Sequence, residues 1–330
     1  MNKPLISVSN VTKIYKINQR VNGLPGQIAN LLFPKYVDIK AVDQISFDIN
    51  EGEVVGFIGP NGAGKSTTIK MLSGILFPSS GEIHVAGYVP YKQRQKYVSH
   101  IGVVFGQKSQ LSWDLPVIDS FELLKHIYKI PNDLYKDNLT LFSNLLDMES
   151  FINQPVRQLS LGQRMRSDIA AALLHSPKLV FFDEPTIGLD VVAKERIREF
   201  IHHINKEQGV TMIFTSHDMQ DIEKICHQLI IIDHGQKIFD GDISGFKNQF
   251  GAQRKLIVEF EQECEISDIK GVTIENMENH KKEFCFHGED VQMKSLISSL
   301  INSYEVKDLT ICEPEIETLV RQIYERGGHI

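Results

Sequence analysis

The sequence has 330 residues, enough for one large domain or two moderate ones, and its 42% hydrophobic and 23% charged residues exclude a disordered or fibrous chain. A net charge of −7 with no basic block excludes a dedicated nucleic-acid tract. The longest apolar run, around Leu229-Ile230-Ile231-Ile232, is cut off by Asp233 and His234 and is far too short to span a bilayer.

Residues 5 to 15 alternate weakly, so Met1 to Asn10 reads as strand rather than as a signal peptide. Residues 41 to 49 alternate again through Val42, Ile45, Phe47 and Ile49, which predicts antiparallel strands ahead of the core. Between them, Lys16 to Lys40 carries Gly23, Pro25, Gly26 and Pro34 around the apolar cluster Ile28, Leu31, Leu32 and Phe33. That is the pattern of an inserted loop with one or two helical turns.

Gly59-Pro60-Asn61-Gly62-Ala63-Gly64-Lys65-Ser66-Thr67 then fits the phosphate-loop pattern G-x-x-x-x-G-K-[ST] at every fixed position. It lies between the apolar run Val54 to Ile58 and the helical Thr68-Ile69-Lys70-Met71-Leu72, the context that separates such a loop from a chance glycine turn. The glycines let successive N–H groups converge on phosphate oxygens at a helix N-terminus. Lys65 is placed to reach the β- and γ-phosphates, and Ser66 to offer a hydroxyl to Mg²⁺.

Glu82 to Val85 reads as a short strand and Ile101 to Phe105 as a buried one, with Gln107 after it. Asp119 and Glu122 have capping-box spacing ahead of Phe121, Leu124, Ile127 and Tyr128, and helical spacing continues through Leu139, Phe142 and Leu146. This predicts a helical subdomain inserted in an α/β core. Leu159-Ser160-Leu161-Gly162-Gln163 opens another helix, and Ser160 with Gln163 also satisfies an ordinary capping box. Lys178 to Pro185 is the run of a central parallel strand ending in Asp183 and Glu184, at the strand end where ligands sit in open α/β sheets. Gly209 to His217 repeats the theme, with His217 at the tip of the strand. The other histidines, His202-His203 included, lack metal-ligand company.

From about Gly245 the pattern changes to a small α+β domain: strands at Lys255 to Glu261, Val272 to Glu275, Phe284 to His287 and Lys307 to Cys312, and helices at Val291 to Tyr304 and from Pro314. No catalytic constellation is visible there. Cys226, Cys264, Cys285 and Cys312 show no paired spacing and read as reduced thiols.

Taken together, residues 5 to 240 resemble the ATP-binding subunit of a bacterial ABC transporter, because several independent motifs occur in that family's order. The resemblance implies a P-loop NTPase core of ABC ATPase type, with an antiparallel β subdomain and an inserted helical subdomain at about 108–175. The cassette then spans 1–244 and an accessory α+β domain 245–330. Gly59 to Thr67 corresponds to Walker A, Gln107 to the Q-loop glutamine, and Leu159 to Gln163 to the signature motif, with Leu161 where glycine is commonest. Asp183 and Glu184 end Walker B, Gly188-Leu189-Asp190 resembles the D-loop, and His217 is the switch histidine. Tyr15 stands where the family stacks an aromatic on adenine, and the insert before Ala41 brings Tyr36 into contention.

ATP and Mg²⁺ are the implied ligands. Lys65, Glu184, His217 and Gln107 are the implied catalytic residues, with Glu184 as general base and His217 on the γ-phosphate. Ser66, Asp183 and Gln107 are the implied metal set. Ser160, Gly162, Gln163 and Asp190 are expected to complete the site of a second cassette, as a homodimer. The expected partners are permease subunits at the cytoplasmic face of the cell membrane, with no nucleic acid. Phe105 to Leu111, Trp113 to Pro116 and Asp308 to Pro314 are similar to the multidrug-exporter branch. The insert after Tyr15 is similar to polysaccharide and teichoic-acid exporters. An importer subunit, and more distantly a soluble ABC-type ATPase on ribosomes or DNA, are the other readings.

Overall fold

A computed structural model of the chain describes residues 3–18, 36–106, 108–250, 253–278, 280–287, 291–312 and 316–325. It divides into two units, Met1–Asp240 and Gly241–Ile330.

The first unit is built on strands β3 (Val54–Ile58), β5 (Ile101–Phe105), β6 (Leu179–Asp183), β7 (Thr211–Thr215), β8 (Gln228–Asp233) and β9 (Gln236–Asp242), in the order β5-β6-β7-β3-β8-β9. The pairs β5–β6, β6–β7, β3–β7 and β3–β8 are parallel. All five residues of β3 and of β7 are buried, as expected of parallel strands covered on both faces, whose sequences run apolar instead of alternating. Gly59 to Gly64 turns from β3 into α1 (Lys65–Leu72), whose N-cap Gly64 has φ 104°.

Beside this sheet lies an antiparallel one in the order β2-β1-β4, made of β1 (Ile6–Asn18), β2 (Tyr36–Ile49) and β4 (Ser80–Val85). Both long strands run further into the expected loop Lys16 to Lys40 than their weak alternation suggested. Tyr15 pairs with Ile39, Ile17 with Val37 and Asn18 with Tyr36, so this part of the insert is a two-stranded ribbon. The cluster Ile28 to Phe33 lies outside the described residues.

The short α2 (Arg94–Tyr97) precedes β5, and α3 (Val117–Tyr128), α4 (Asn132–Leu145) and α5 (Leu161–Leu173) follow it. The expected capping box of Asp119 and Glu122 is absent. α3 starts three residues earlier, with Pro116 in the N-cap position that Asp119 was expected to hold and no side-chain cap. Val117 N–H donates to Gln154 O at 3.2 Å and Ile118 N–H to Ile152 O at 3.0 Å, so backbone carbonyls satisfy the donors that a capping side chain would otherwise take. Asp119 therefore sits inside the first turn, and Glu122 pairs with Lys125 at 2.6 Å. The helical run also breaks in two, at Lys129 in the left-handed region and at Pro131 heading α4. The unit is completed by α6 (Val191–Gln208) and α7 (Met219–Ile225). Four cysteines are free thiols, with Cys226 and Cys285 buried.

The second unit opens with α8 (Ile243–Phe250) and continues with a four-stranded antiparallel sheet in the order β11-β12-β10-β13. Its strands are β10 (Gln253–Phe260), β11 (Val272–Asn276), β12 (Lys281–His287) and β13 (Val306–Cys312). Helix α9 (Met293–Ser303) sets Leu296 and Leu300 against Leu256, Val258, Phe260, Phe284 and Phe286 in one core. The last helix, α10 (Ile316–Glu325), buries Leu319, Val320 and Ile323. Among the described residues, no helix is long and apolar enough to cross a membrane.

Candidate functional site

At the phosphate loop the glycines are required by what surrounds them. A Cβ on Gly59 would stand 2.4 Å from Ile232 O, and one on Gly64 would stand 2.4 Å from Ala41 O, so neither position admits a side chain. The loop is also tied to its neighbours: Gly235 N–H donates to Ala63 O at 3.1 Å and Asp43 N–H to Gly235 O at 2.8 Å. Asn61 and Gly62 remain exposed at the outside of the turn, while Ser66 and Thr67 are half-buried in the first turn of α1.

Lys65 is 6% exposed and folds its ammonium back onto the loop, donating to Gly59 O at 2.5 Å and Pro60 O at 3.2 Å. Burial lowers its pKa, against the pull of Glu184 and Asp183 in the other direction. Both carboxylates therefore lie close enough to be felt at Lys65.

Asp183 ends β6 and Glu184 is the first residue past it. Asp183 Oδ1 stands 3.5 Å from Ser66 Oγ and accepts from Thr215 Oγ1 at 2.9 Å. Glu184 takes a left-handed backbone, φ 57°, and its N–H donates to Thr215 Oγ1 at 3.0 Å and Thr215 O at 3.2 Å. That turn leaves no room beneath it: a Cβ on Gly106 would lie 2.2 Å from Glu184 O. Gly106 N–H donates to Asp183 O at 2.8 Å, which holds the end of β5 against the same point. Gln107 lies outside the described residues.

The tip of β7 is Thr215, not the expected His217, which sits two residues further on, in the turn before α7. From there His217 Nε2 reaches Glu184 Oε1 at 2.7 Å. Thr215 was missed in the sequence, because the partner that gives it a role, Asp183, lies 32 residues away.

A second group forms around the N-terminus of α5. Ser160 Oγ accepts from Gln163 N–H at 3.2 Å, and Gln163 Oε1 accepts from Ser160 N–H at 2.9 Å, so the capping box is real. Ser160, Gly162, Gln163, Asp190 and Arg196 line one cavity of about 330 Å³. Asp190 caps α6 through Ala193 N–H at 2.8 Å. Leu161 lies against the D-loop position: a Cβ on Gly188 would meet its Cδ2 at 3.2 Å. The structure thus gathers Lys65, Ser66, Asp183, Glu184 and His217 in one place, and Ser160, Gly162, Gln163 and Asp190 in another.

A family profile described as "ABC transporter" matches residues 42–187, which spans the phosphate loop, the α5 cap and the β6 carboxylates. The chain is 36% identical over 203 residues to the ABC transporter ATP-binding protein NatA of Bacillus subtilis, covering 62% of this chain and 82% of NatA. It is 31% identical to the linearmycin resistance ATP-binding protein LnrL of the same organism, over 84% of this chain and 91% of LnrL. The chain belongs to the ABC transporter ATP-binding proteins. It is also 28% identical to the methionine import ATP-binding protein MetN 2 of Enterococcus faecalis, over 82% of this chain and 80% of that one. Among solved structures, a dimeric post-hydrolysis state of the ATP-binding cassette MJ0796 bound to ADP and Pi covers 72% of this chain and 98% of that one, at TM-score 0.60 and 26% identity.

As an ABC ATP-binding chain, it has a donor set suited to a magnesium nucleotide. The turns at Gly59 and Gly64 exclude any Cβ, which suits a phosphate cradle, and the hydroxyl of Ser66 beside the carboxylate of Asp183 offers the hard oxygens that Mg²⁺ takes. Tyr15 lies on β1 two residues beyond Lys13, which pairs with Val42 next to Gly64. Tyr36 is at the far end of the ribbon, opposite Asn18, so Tyr15 is the nearer of the two aromatics along the ladder.

Proposed function

We propose that this ABC subunit hydrolyses ATP and uses the energy to export a solute through separate permease subunits in the cytoplasmic membrane. The observation that carries the hydrolytic reading is the 2.7 Å contact of Glu184 with His217, beside Asp183, Ser66 and Lys65. Lys65 leaves the carbonyls of Gly59 and Pro60 for the β- and γ-phosphates, joined by the loop amides of residues 61 to 67, while Tyr15 stacks on the adenine. Glu184 takes the proton of the attacking water as its oxygen bonds to the γ-phosphorus. The bond to the β-phosphate oxygen breaks, and its electron pair leaves on ADP. His217 hydrogen-bonds the γ-phosphate and orients that water. Ser66, Asp183 and Gln107 would hold Mg²⁺, which when bound neutralises charge on the phosphates.

The open side of the nucleotide needs donors that the Lys65 group does not supply. Ser160, Gly162 and Gln163 head a helix and Asp190 lies beside them, and in a second copy they face the γ-phosphate held by the first. The dimeric MJ0796 cassette, described as bound to ADP and Pi, supports this arrangement. ATP then closes the dimer and hydrolysis releases it, and the helices α3 to α5 carry that change to the permease. On this reading 1–244 is the engine and 245–330 an accessory domain.

Export rests on the likeness of residues 105–116 and 308–314 to the multidrug branch, and on a resistance protein among the relatives. Import is the second reading, favoured by the methionine import relative. Turnover of the purified chain tests the chemistry. Lys65→Ala and Glu184→Gln are each expected to lose more than about 100-fold in kcat, and Glu184→Gln running near the wild-type rate would overturn Glu184 as the base.

A further inference from the structure

Helix α6 begins at its Asp190 cap, and Lys194 lies one turn inside it, its N–H donating to Asp190 O at 3.0 Å. Its ammonium reaches across to Asp218 Oδ2 at 2.6 Å. Asp218 directly follows His217 and is itself fixed in place: its Oδ1 accepts from Gln220 N–H at 3.0 Å, and its N–H donates to Ser216 Oγ at 3.0 Å. Burial pushes the Asp218 carboxyl up, but the hydrogen bond and charge of Lys194 outweigh that and hold it below its ordinary value.

Asp221 gives the same lysine a second negative charge. It is fully buried, and its Oδ1 is taken by Arg198, one turn further along α6, with Nε at 2.9 Å. Its Oδ2 has no hydrogen bond and stands 3.9 Å from Lys194 Nζ. Two cations on one face of α6 therefore grip α7, and the outer one grips the turn that carries His217. Glu184, Gly188, Lys194, His217 and Asp218 line a single cavity of about 280 Å³, so this ion pair borders the expected reaction site.

We propose that Lys194 is a positioning residue that fixes the His217 turn to the helix headed by Asp190, so that the placement of His217 against Glu184 follows the position of α6. Asp190 sits beside Ser160 and Gly162, the surface offered to a second cassette, so closure at that surface reaches His217 through one ion pair. The inference rests on the proposed role of His217. A partly exposed ion pair of this kind with no such duty is worth little, and its loss leaves turnover alone.

A cycle of full-length variants separates the two cases: Lys194→Met, Lys194→Arg, His217→Ala and the Lys194→Met/His217→Ala double variant, with steady-state kcat and KM for ATP and single-turnover rates for the slow proteins. Lys194→Met is expected to lower kcat about 10-fold with KM within about twofold, since a misplaced catalytic group costs rate more than binding. Lys194→Arg is expected to restore most of the rate, and Lys194→Met to cost nothing further in the His217→Ala background. Equal fold-losses in both backgrounds, or a wild-type kcat in Lys194→Met, overturn the proposal while leaving His217 in its role. Full turnover in His217→Ala removes both. Should Lys194→Met not fold, Asp218→Asn takes its place in the same cycle, because it keeps the oxygen that caps α7.

Discussion

Asp168 and His175, both set in the interior near α5, titrate in one pH window with opposite consequences. Asp168 is 4% exposed, and burial pushes its carboxyl up to about 6, against hydrogen bonds from Ser109 Oγ and Gln110 N–H and the charge of Arg164. Its folded value exceeds its unfolded one, so the stability it contributes is complete below about pH 4 and is lost as pH rises through 6. Burial pushes His175 down to about 4, against its bond to Ile101 O, so its contribution is complete above about pH 6.5 and is lost as pH falls through 4. Asp168→Asn is therefore expected to gain on the wild type as pH rises from 4 to 7, by up to roughly 3 kcal/mol, and urea midpoints across that range check it. A difference that does not change with pH would contradict it. Gly106→Ala forces a methyl onto Glu184 O, already on a left-handed residue, and is expected to cut turnover more than ATP affinity in equilibrium-binding and rate measurements. Of these residues the sequence showed only some. Lys65, Ser66, Asp183 and Glu184 were legible because each sits in a contiguous motif at a strand end. Thr215, Lys194 and Asp168 were not, since Thr215 meets Asp183 across 32 residues, Lys194 meets Asp218 across 24 and Asp168 meets Ser109 across 59. Such pairings are made by the fold and leave no local spacing to read.

The start of α5, whose cap is local, was read correctly, and the start of α3, stabilised from elsewhere, was not. The α5 cap is an i,i+3 exchange between Ser160 and Gln163, visible in five residues of sequence. The start of α3 has the same spacing at Asp119 and Glu122, yet its donors are met by Gln154 O and Ile152 O from a distant turn. The two helices should respond differently to the same kind of change. Ser160→Ala is expected to lose about 1 kcal/mol of stability, the ordinary worth of an N-cap, and Asp119→Ala no more than about 0.5 kcal/mol from its dipole interaction. Thermal or urea unfolding of the two variants checks this, and equal losses would count against it. The β1–β2 ribbon was under-read for a related reason. Ile17, Val37 and Ile39 alternate with polar neighbours over too few residues to stand out, and only the pairing of the two strands makes them a ladder.

At the scale of the whole chain, the cassette was legible because its motifs occur in a fixed order along one unit, Met1–Asp240. The second unit shows a sheet and a closed core but no motif, so its sequence spoke of fold and not of purpose. Ending the chain after Asp242, the last residue of β9, is expected to leave a folded protein that binds ATP, which calorimetric titration checks. Loss of binding would mean that the second unit is needed to hold the first. The account as a whole turns on two copies sharing each nucleotide, because Lys65 and Glu184 form one group and Ser160 and Gly162 another. The measurement that tests it most directly is the solution mass of Glu184→Gln by light scattering on a sizing column, with and without Mg-ATP. Glu184→Gln is expected to run as a monomer without nucleotide and as a dimer with it. A chain that stays monomeric at saturating Mg-ATP would contradict the shared site and leave the α5 terminus as a helix cap alone.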